Sequence, residues 1–150
     1  MTARRILVVG SNGKPQQVQS TDTPLGGGGG DLAAANLTFV IDGGGATITT
    51  GIKGDLEVPF ACTITQVTLL GDQSGSIVVD VWKAAYAAFP PVVGGTITAA
   101  AIPTISAALK SQDATLTGWT KTLAIGDVLR FNVNSVTTIQ RCTLALRVTR

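Results

Sequence analysis

Apolar and polar positions alternate most clearly in the C-terminal part of the chain. Leu129, Phe131 and Val133 share one phase, with Arg130, Asn132 and Asn134 in the other. From Ile139 to Thr149 the alternation continues, placing Cys142, Leu144, Leu146 and Val148 inward and Arg141, Thr143, Ala145 and Arg147 outward. A period of two is the mark of strands with one face on a core and one in water. Cys62 to Leu70 shows the same pattern, but its phase slips near Gln66, as a β-bulge requires. Gly71-Asp72-Gln73-Ser74-Gly75 reads as a turn. Ser76 to Lys83 reads as the next strand, with Ile77, Val79 and Val81 on one face and Val78, Asp80 and Trp82 on the other.

Leu37 to Asp42 predicts a strand closed by Gly43-Gly44-Gly45, and residues 46–58 short extended pieces broken by Gly51 and Gly54. Residues 84–113 are ambiguous. Ala84 to Ala88 permits a helix that Phe89-Pro90-Pro91 ends, Gly94 to Thr98 suits a short strand, and Ser106 to Lys110 suits one helical turn. Ala114 to Thr120 reads as extended, and Ile125-Gly126-Asp127 as a turn. Many short strands with turns between them, and no long helix, predict an all-β fold: a β-sandwich of jelly-roll type spanning residues 37–150.

Residues 1–36 have a different texture, that of an extended N-terminal arm. Asn12-Gly13 lies between two extended runs and predicts a small hairpin, which Pro15 limits. Gly26 to Gly30 reads as a linker, since five glycines bury nothing and lose much entropy on ordering. The run Ile6 to Lys14 imitates a phosphate-binding loop, but Pro15 and a Gln-rich stretch stand where that loop needs a helix.

Composition narrows the chemistry. Only 13% of residues are charged, about half the ordinary ~25%, and the net charge is +2. The basic residues are scattered, so nucleic acid is not expected as a partner. No apolar run reaches the ~18 residues of a membrane span, and no secretory leader is recognisable, so synthesis in a cytosol is expected. The absence of histidine removes Ser-His-Asp and Cys-His catalysis and the commonest zinc ligand. Two isolated cysteines, Cys62 and Cys142, make no metal site; they are expected as small buried hydrophobes, with a disulfide between them left open. Asp55 and Glu57, two apart, share a strand face as a glycosidase pair would, but nothing else supports that chemistry. No enzyme, cofactor or metal is therefore expected. Trp82, Trp119, Thr143 and Ala145 are candidates for an oligomer interface: large rings anchor such contacts, and small outward side chains pack closely and desolvate at little cost.

The stretches GDLEVPFACTITQVTLLGDQSGSIVVDVWK (Gly54 to Lys83), PTISAALKSQDATLTGWTKTLAIGDVLRFNV (Pro103 to Val133) and TLALRVTR (Thr143 to Arg150) resemble a module of tailed-bacteriophage structural proteins, of the capsid decoration (cement) or head-fibre type. ILVVGSNGKPQQVQSTDTPL (Ile6 to Leu25) is similar to the arm that begins many phage head and tail appendages. The resemblance implies a virion protein on the capsid surface, bound to the major capsid protein as a homotrimer that stabilises the shell. It implies that the arm makes the contact, through Arg4, Arg5, Ile6, Leu7, Val8, Val9, Gln17, Val18 and Leu25. Two alternatives stand beside it: a short tail or head fibre whose β tip binds host carbohydrate, and a free-standing carbohydrate-binding domain.

Overall fold

The structure is a computed structural model that describes residues 34–150, together with the backbone of Leu7–Val9 and Pro15–Gln17. The chain divides into two units, Met1–Asp31 and Leu32–Arg150. In the first, β1 (Leu7–Val9) pairs antiparallel with β2 (Pro15–Gln17) in a register centred on residue 12, the position of the expected hairpin turn. Pro15 takes part in the ladder, opposite Val9. The turn residues themselves, Arg4, Arg5, Ile6, Val18, Leu25 and the Gly26 to Gly30 run lie outside the described residues.

The second unit, the body, is nearly all β. Its strands are β3 (Ala34–Asp42), β4 (Gly51–Glu57), β5 (Cys62–Ala85), β6 (Thr104–Asp113), β7 (Thr122–Leu123), β8 (Asp127–Thr137) and β9 (Arg141–Thr149). The main sheet runs β3-β9-β5-β8-β4, with β6 and β7 also on β5, and every pairing is antiparallel. The only helices among the described residues are two 3-10 turns, Tyr86–Ala88 and Val93–Gly95.

β5 organises everything else. It has 24 residues and does not stop at Gly71 to Gly75, so the expected turn there is overturned. The strand exchanges one partner for another: Thr63 to Gly71 pair with β9, and Ser76 to Ala85 with β8. The sheet curls at this exchange, and each run of chain crossing it is irregular there. β8 and β9 are separated by Thr138 (φ 63°), β6 contains Ala107 (φ 47°), and residues 43–50 interrupt the course from β3 to β4. Side chains then replace missing ladder bonds. Asp72 accepts the backbone N–H groups of Gln140 and Arg141, both at 3.1 Å, Gln73 Nε2 donates to the Thr138 carbonyl, and Thr138 Oγ1 donates to the Ser74 carbonyl at 2.9 Å. Gly75 is required by crowding: a Cβ there would lie 2.3 Å from Thr138 Oγ1 and 2.5 Å from the Thr137 carbonyl oxygen.

The curl lets the inner side chains share one core. Ile64, Val67, Leu69, Leu144, Leu146 and Val148 from one half join Ile77, Val79, Val81, Leu129, Phe131 and Val133 from the other. The inward and outward assignments for β8 and β9 hold, as does the bulge, which falls between Ile64 and Gln66. Three further expectations fail. Ser106 to Lys110 belongs to β6, because pairing with β5 overrides the helix preference of Ala107, Ala108 and Leu109. Gly94 to Thr98 forms a 3-10 turn and one bridge, Thr96 to Trp82. Ala114 to Thr120 is a turn, not an extended run; the Asp113 carboxylate accepts the N–H groups of Thr115 and Leu116.

Candidate functional site

The two halves of the curled sheet treat their outer faces differently. On the β4-β8-β5 half, the chain after β5 turns back: Phe89 and Pro91 lie over the face at Arg130, and Thr96 and Ile97 run along the β5 edge, where the Ile97 N–H donates to the Val81 carbonyl at 2.9 Å and the Ile97 side chain is buried in the core. Asp80 is buried there with no ion-pair partner among the described residues and accepts three hydrogen bonds, each of 2.7 Å, from Trp82 Nε1, Thr96 Oγ1 and Thr98 Oγ1. Three donors on one carboxylate offset the desolvation of its charge. Next to it Arg130 forms a two-point pair with Asp55, Nε to Oδ1 at 2.7 Å and Nη2 to Oδ2 at 2.9 Å. The same guanidinium donates to the Pro91 carbonyl at 3.3 Å and lies 5.4 Å from the centre of the Phe89 ring. Asp80 and Arg130 thus clasp the covering segment from two sides.

The other half has no such cover from the described residues. Across its outer face run two registers of side chains, Val40–Thr143–Leu70–Lys110 and Thr38–Ala145–Thr68–Gln112. Asn36, Arg147 and Gln66 make the next row. Val40 and Leu70 are exposed, and Gln112 Nε2 donates to Thr68 Oγ1 at 3.0 Å. The small, branched, mostly uncharged composition explains how a sheet can stay open on this side: Thr and Val favour the strand while leaving a shallow surface.

The structure therefore separates the four interface candidates. Thr143 and Ala145 lie side by side in this open face. Trp82 is half-buried on the opposite half, held by Asp80. Trp119 belongs to the body's own core, its indole N–H donating to the Ala101 carbonyl at 2.9 Å, so its ring is not offered to a partner. Leu7, Val8, Val9 and Gln17 of the arm lie in β1 and β2, where the structure describes backbone alone. Asp80 and the covering segment were missed in the sequence, where Asp80 reads as an outward residue in phase with Trp82; the runs of Thr and Ala around residues 96–101 held no signal for what they cover.

The remaining candidate chemistry is accounted for locally. Both Asp55 oxygens are occupied by Arg130, and Asp127 holds its turn by accepting Lys83 Nζ at 3.1 Å and the Ala124 N–H at 2.9 Å. Cys62 and Cys142 are free and buried; burial raises both thiols, Cys142 to about 11. Among the described residues no group of three or more potential metal ligands comes together, and no helix is long and apolar enough to cross a membrane. No protein-family model, curated protein or solved structure matches this chain.

Proposed function

We propose that this chain is a structural protein of a tailed-phage particle, a capsid decoration protein. In this reading its arm binds the major capsid protein and its body self-associates, as a trimer, on the outer surface of the shell. The observation that carries the proposal is the open face built from β3, β9, β5 and β6. A low-charge sheet surface of Thr, Val, Ala and Leu suits burial against protein: it sheds little bound water and positions few charges that need partners. The curled antiparallel sheet with a single core is read here as a jelly-roll sandwich. An arm that orders on the shell loses chain entropy on binding, and several copies in one oligomer offset that loss through avidity. The protein does no chemistry in this reading and takes no cofactor.

A sugar-binding fibre tip, the alternative, calls for aromatic platforms. Both tryptophans are engaged, Trp82 by Asp80 and Trp119 in the core, which leaves Tyr86 and Phe89, the latter already beside Arg130, as the exposed rings. Those placements favour the decoration reading.

The test is to incubate undecorated phage shells with the full chain and with a variant lacking residues 1–30, then count bound copies by quantitative gel analysis. The full chain is expected to saturate shells at hundreds of copies, and the truncated body to fold but fail to bind. Equal decoration by the truncated body would remove the arm from the mechanism, and absence of binding by the full chain would remove the shell as partner.

A further inference from the structure

The segment joining β5 to β6 presents a group of exposed apolar side chains. Tyr86 is 74% exposed, Phe89 53%, Val92 63% and Val93 65%. The segment is well fastened. Asp80 holds Thr96 and Thr98, Arg130 holds the Pro91 carbonyl, and the Gly95 N–H donates to the Val92 carbonyl at 2.8 Å. It is also electrically silent: residues 84–109 contain no charged side chain, and the bordering cations are paired, Lys83 with Asp127 and Arg130 with Asp55. A preorganised apolar projection of this kind loses little entropy when it docks.

A complementary surface lies on the open half of the same body. Thr68, Leu70, Lys110, Ser111 and Gln112 line a groove of about 430 Å³ between β5 and β6. It continues past Gln66, Ala145 and Arg147. Lys110 and Arg147 flank it, and neither has an ion-pair partner among the described residues. Packing this face against the same face of a second copy would juxtapose four cations that have no ion-pair partner among the described residues, a repulsive arrangement. The projection offers the opposite: the exposed ring of Tyr86 has a negative π face that attracts cations, and the segment has no charged side chain of its own to desolvate.

We propose that the chain self-associates head to tail, with the Tyr86–Val93 projection of one copy seated in the β5–β6 groove of the next. This rests on the self-association proposed above and assigns its two surfaces. A contact between unlike surfaces leaves one of each free at the ends, so it propagates until the rotation closes it into a ring.

The experiment uses sedimentation velocity on the full chain, a projection variant (Phe89→Ser with Val93→Lys, which brings a further cation to a groove flanked by Lys110 and Arg147) and a groove variant (Leu70→Glu), each checked for native far-UV circular dichroism. Each variant alone is expected to sediment as a single chain, with association at least about tenfold weaker. Mixing the two is expected to restore a dimer, because the projection variant keeps an intact groove and the groove variant an intact projection. As an independent readout, Val93→Cys and Gln112→Cys are expected to cross-link between copies only when both are present, the natural cysteines being buried. If the wild type assembles and either variant assembles as well, or the mixture stays monomeric, the head-to-tail contact is wrong while self-association stands. A wild type that is a single chain at all concentrations would remove self-association itself. Binding of that single chain to phosphatidylcholine vesicles or to glycans, lost in the projection variant, would reassign the projection and overturn the proposal.

Discussion

The ring of Phe39 on β3 lies flat on the ring of Phe131 on β8, with centroids 4.3 Å apart and planes 12° from parallel. These strands do not pair with each other; β3 pairs with β9, and β8 with β5 and β4. The stack therefore joins the two halves of the curl. Gly54 makes room for it, since a Cβ there would lie 2.8 Å from Phe39 Cζ. Gly54→Ala is expected to displace the ring and cost about 1–3 kcal/mol, and Phe131→Ala, which empties a fully buried site, about 3–5 kcal/mol. Urea denaturation checks both values; an unchanged midpoint for Gly54→Ala would show that the ring is not confined there.

Asp80 is expected to control the covering segment. Asp80→Ala leaves two threonine hydroxyls and an indole N–H without their shared acceptor, at about 1–3 kcal/mol for each group that stays buried and unpaired. The change should appear as faster proteolysis between residues 86 and 103 and as altered Trp82 emission. Asp80→Asn, which keeps one acceptor oxygen, should fall between the two. Cleavage at the wild-type rate would mean that Arg130 alone suffices to hold the segment.

Acid should loosen the curl and the neighbouring strand end. The N–H of Arg141, with further help from Gln140, holds Asp72 below the ordinary carboxylate value of 3.8, and the Gly44 N–H and Arg141 do the same for Asp42. A carboxyl whose folded pKa is depressed binds fewer protons in the native state. Its stabilisation is fully present above the unfolded value and is lost as pH falls through the folded one. Melting temperature is therefore expected to decline as pH drops below about 4, and Asp72→Asn to be less stable at neutral pH but to decline less steeply in acid. Identical acid profiles for the two proteins would exclude Asp72 as a contributor.

The cysteines are expected to be inert in the native protein. Iodoacetamide at pH 8 should label neither, because burial keeps Cys62 and Cys142 protonated and inaccessible, while both should react in urea. Rapid labelling of Cys142 before unfolding would show that β9 opens locally.

Much of this fold is readable in side-chain alternation, and the limits are instructive. The strands β8 and β9 and the bulge at Gln66 are legible because one buried face imposes a strict period of two. Gly71 to Gly75 is not, because its composition is that of a turn, and what keeps it extended is distant: β9 on one side of the exchange, β8 on the other, and backbone groups near residue 140 that accept no local substitute. Ser106 to Lys110 fails for a related reason, as partner pairing outweighs local propensity. For the open face, Thr143 and Ala145 are readable as outward and small, but that Val40, Leu70 and Lys110 complete the row of Thr143 depends on register. Asp80 misleads because alternation separates the two faces of a strand without revealing that the outer one is covered at that point, and Trp119 because it lies in a turn, where alternation says nothing of burial.

The strand order also governs when the body can be completed. β9 is its last strand in chain order, yet it lies between β3 and β5, and among the described residues it is the only strand to which β3 pairs. Residues 34 and 149 face each other in that ladder. At a synthesis rate of about 5–20 residues per second, β3 waits roughly 6–23 s on the ribosome before its partner exists. β4 waits similarly for β8. The body is thus committed to folding after most of its residues have emerged, with two strand edges unpaired in the interval, and crowding by other nascent copies is the hazard its sequence must survive.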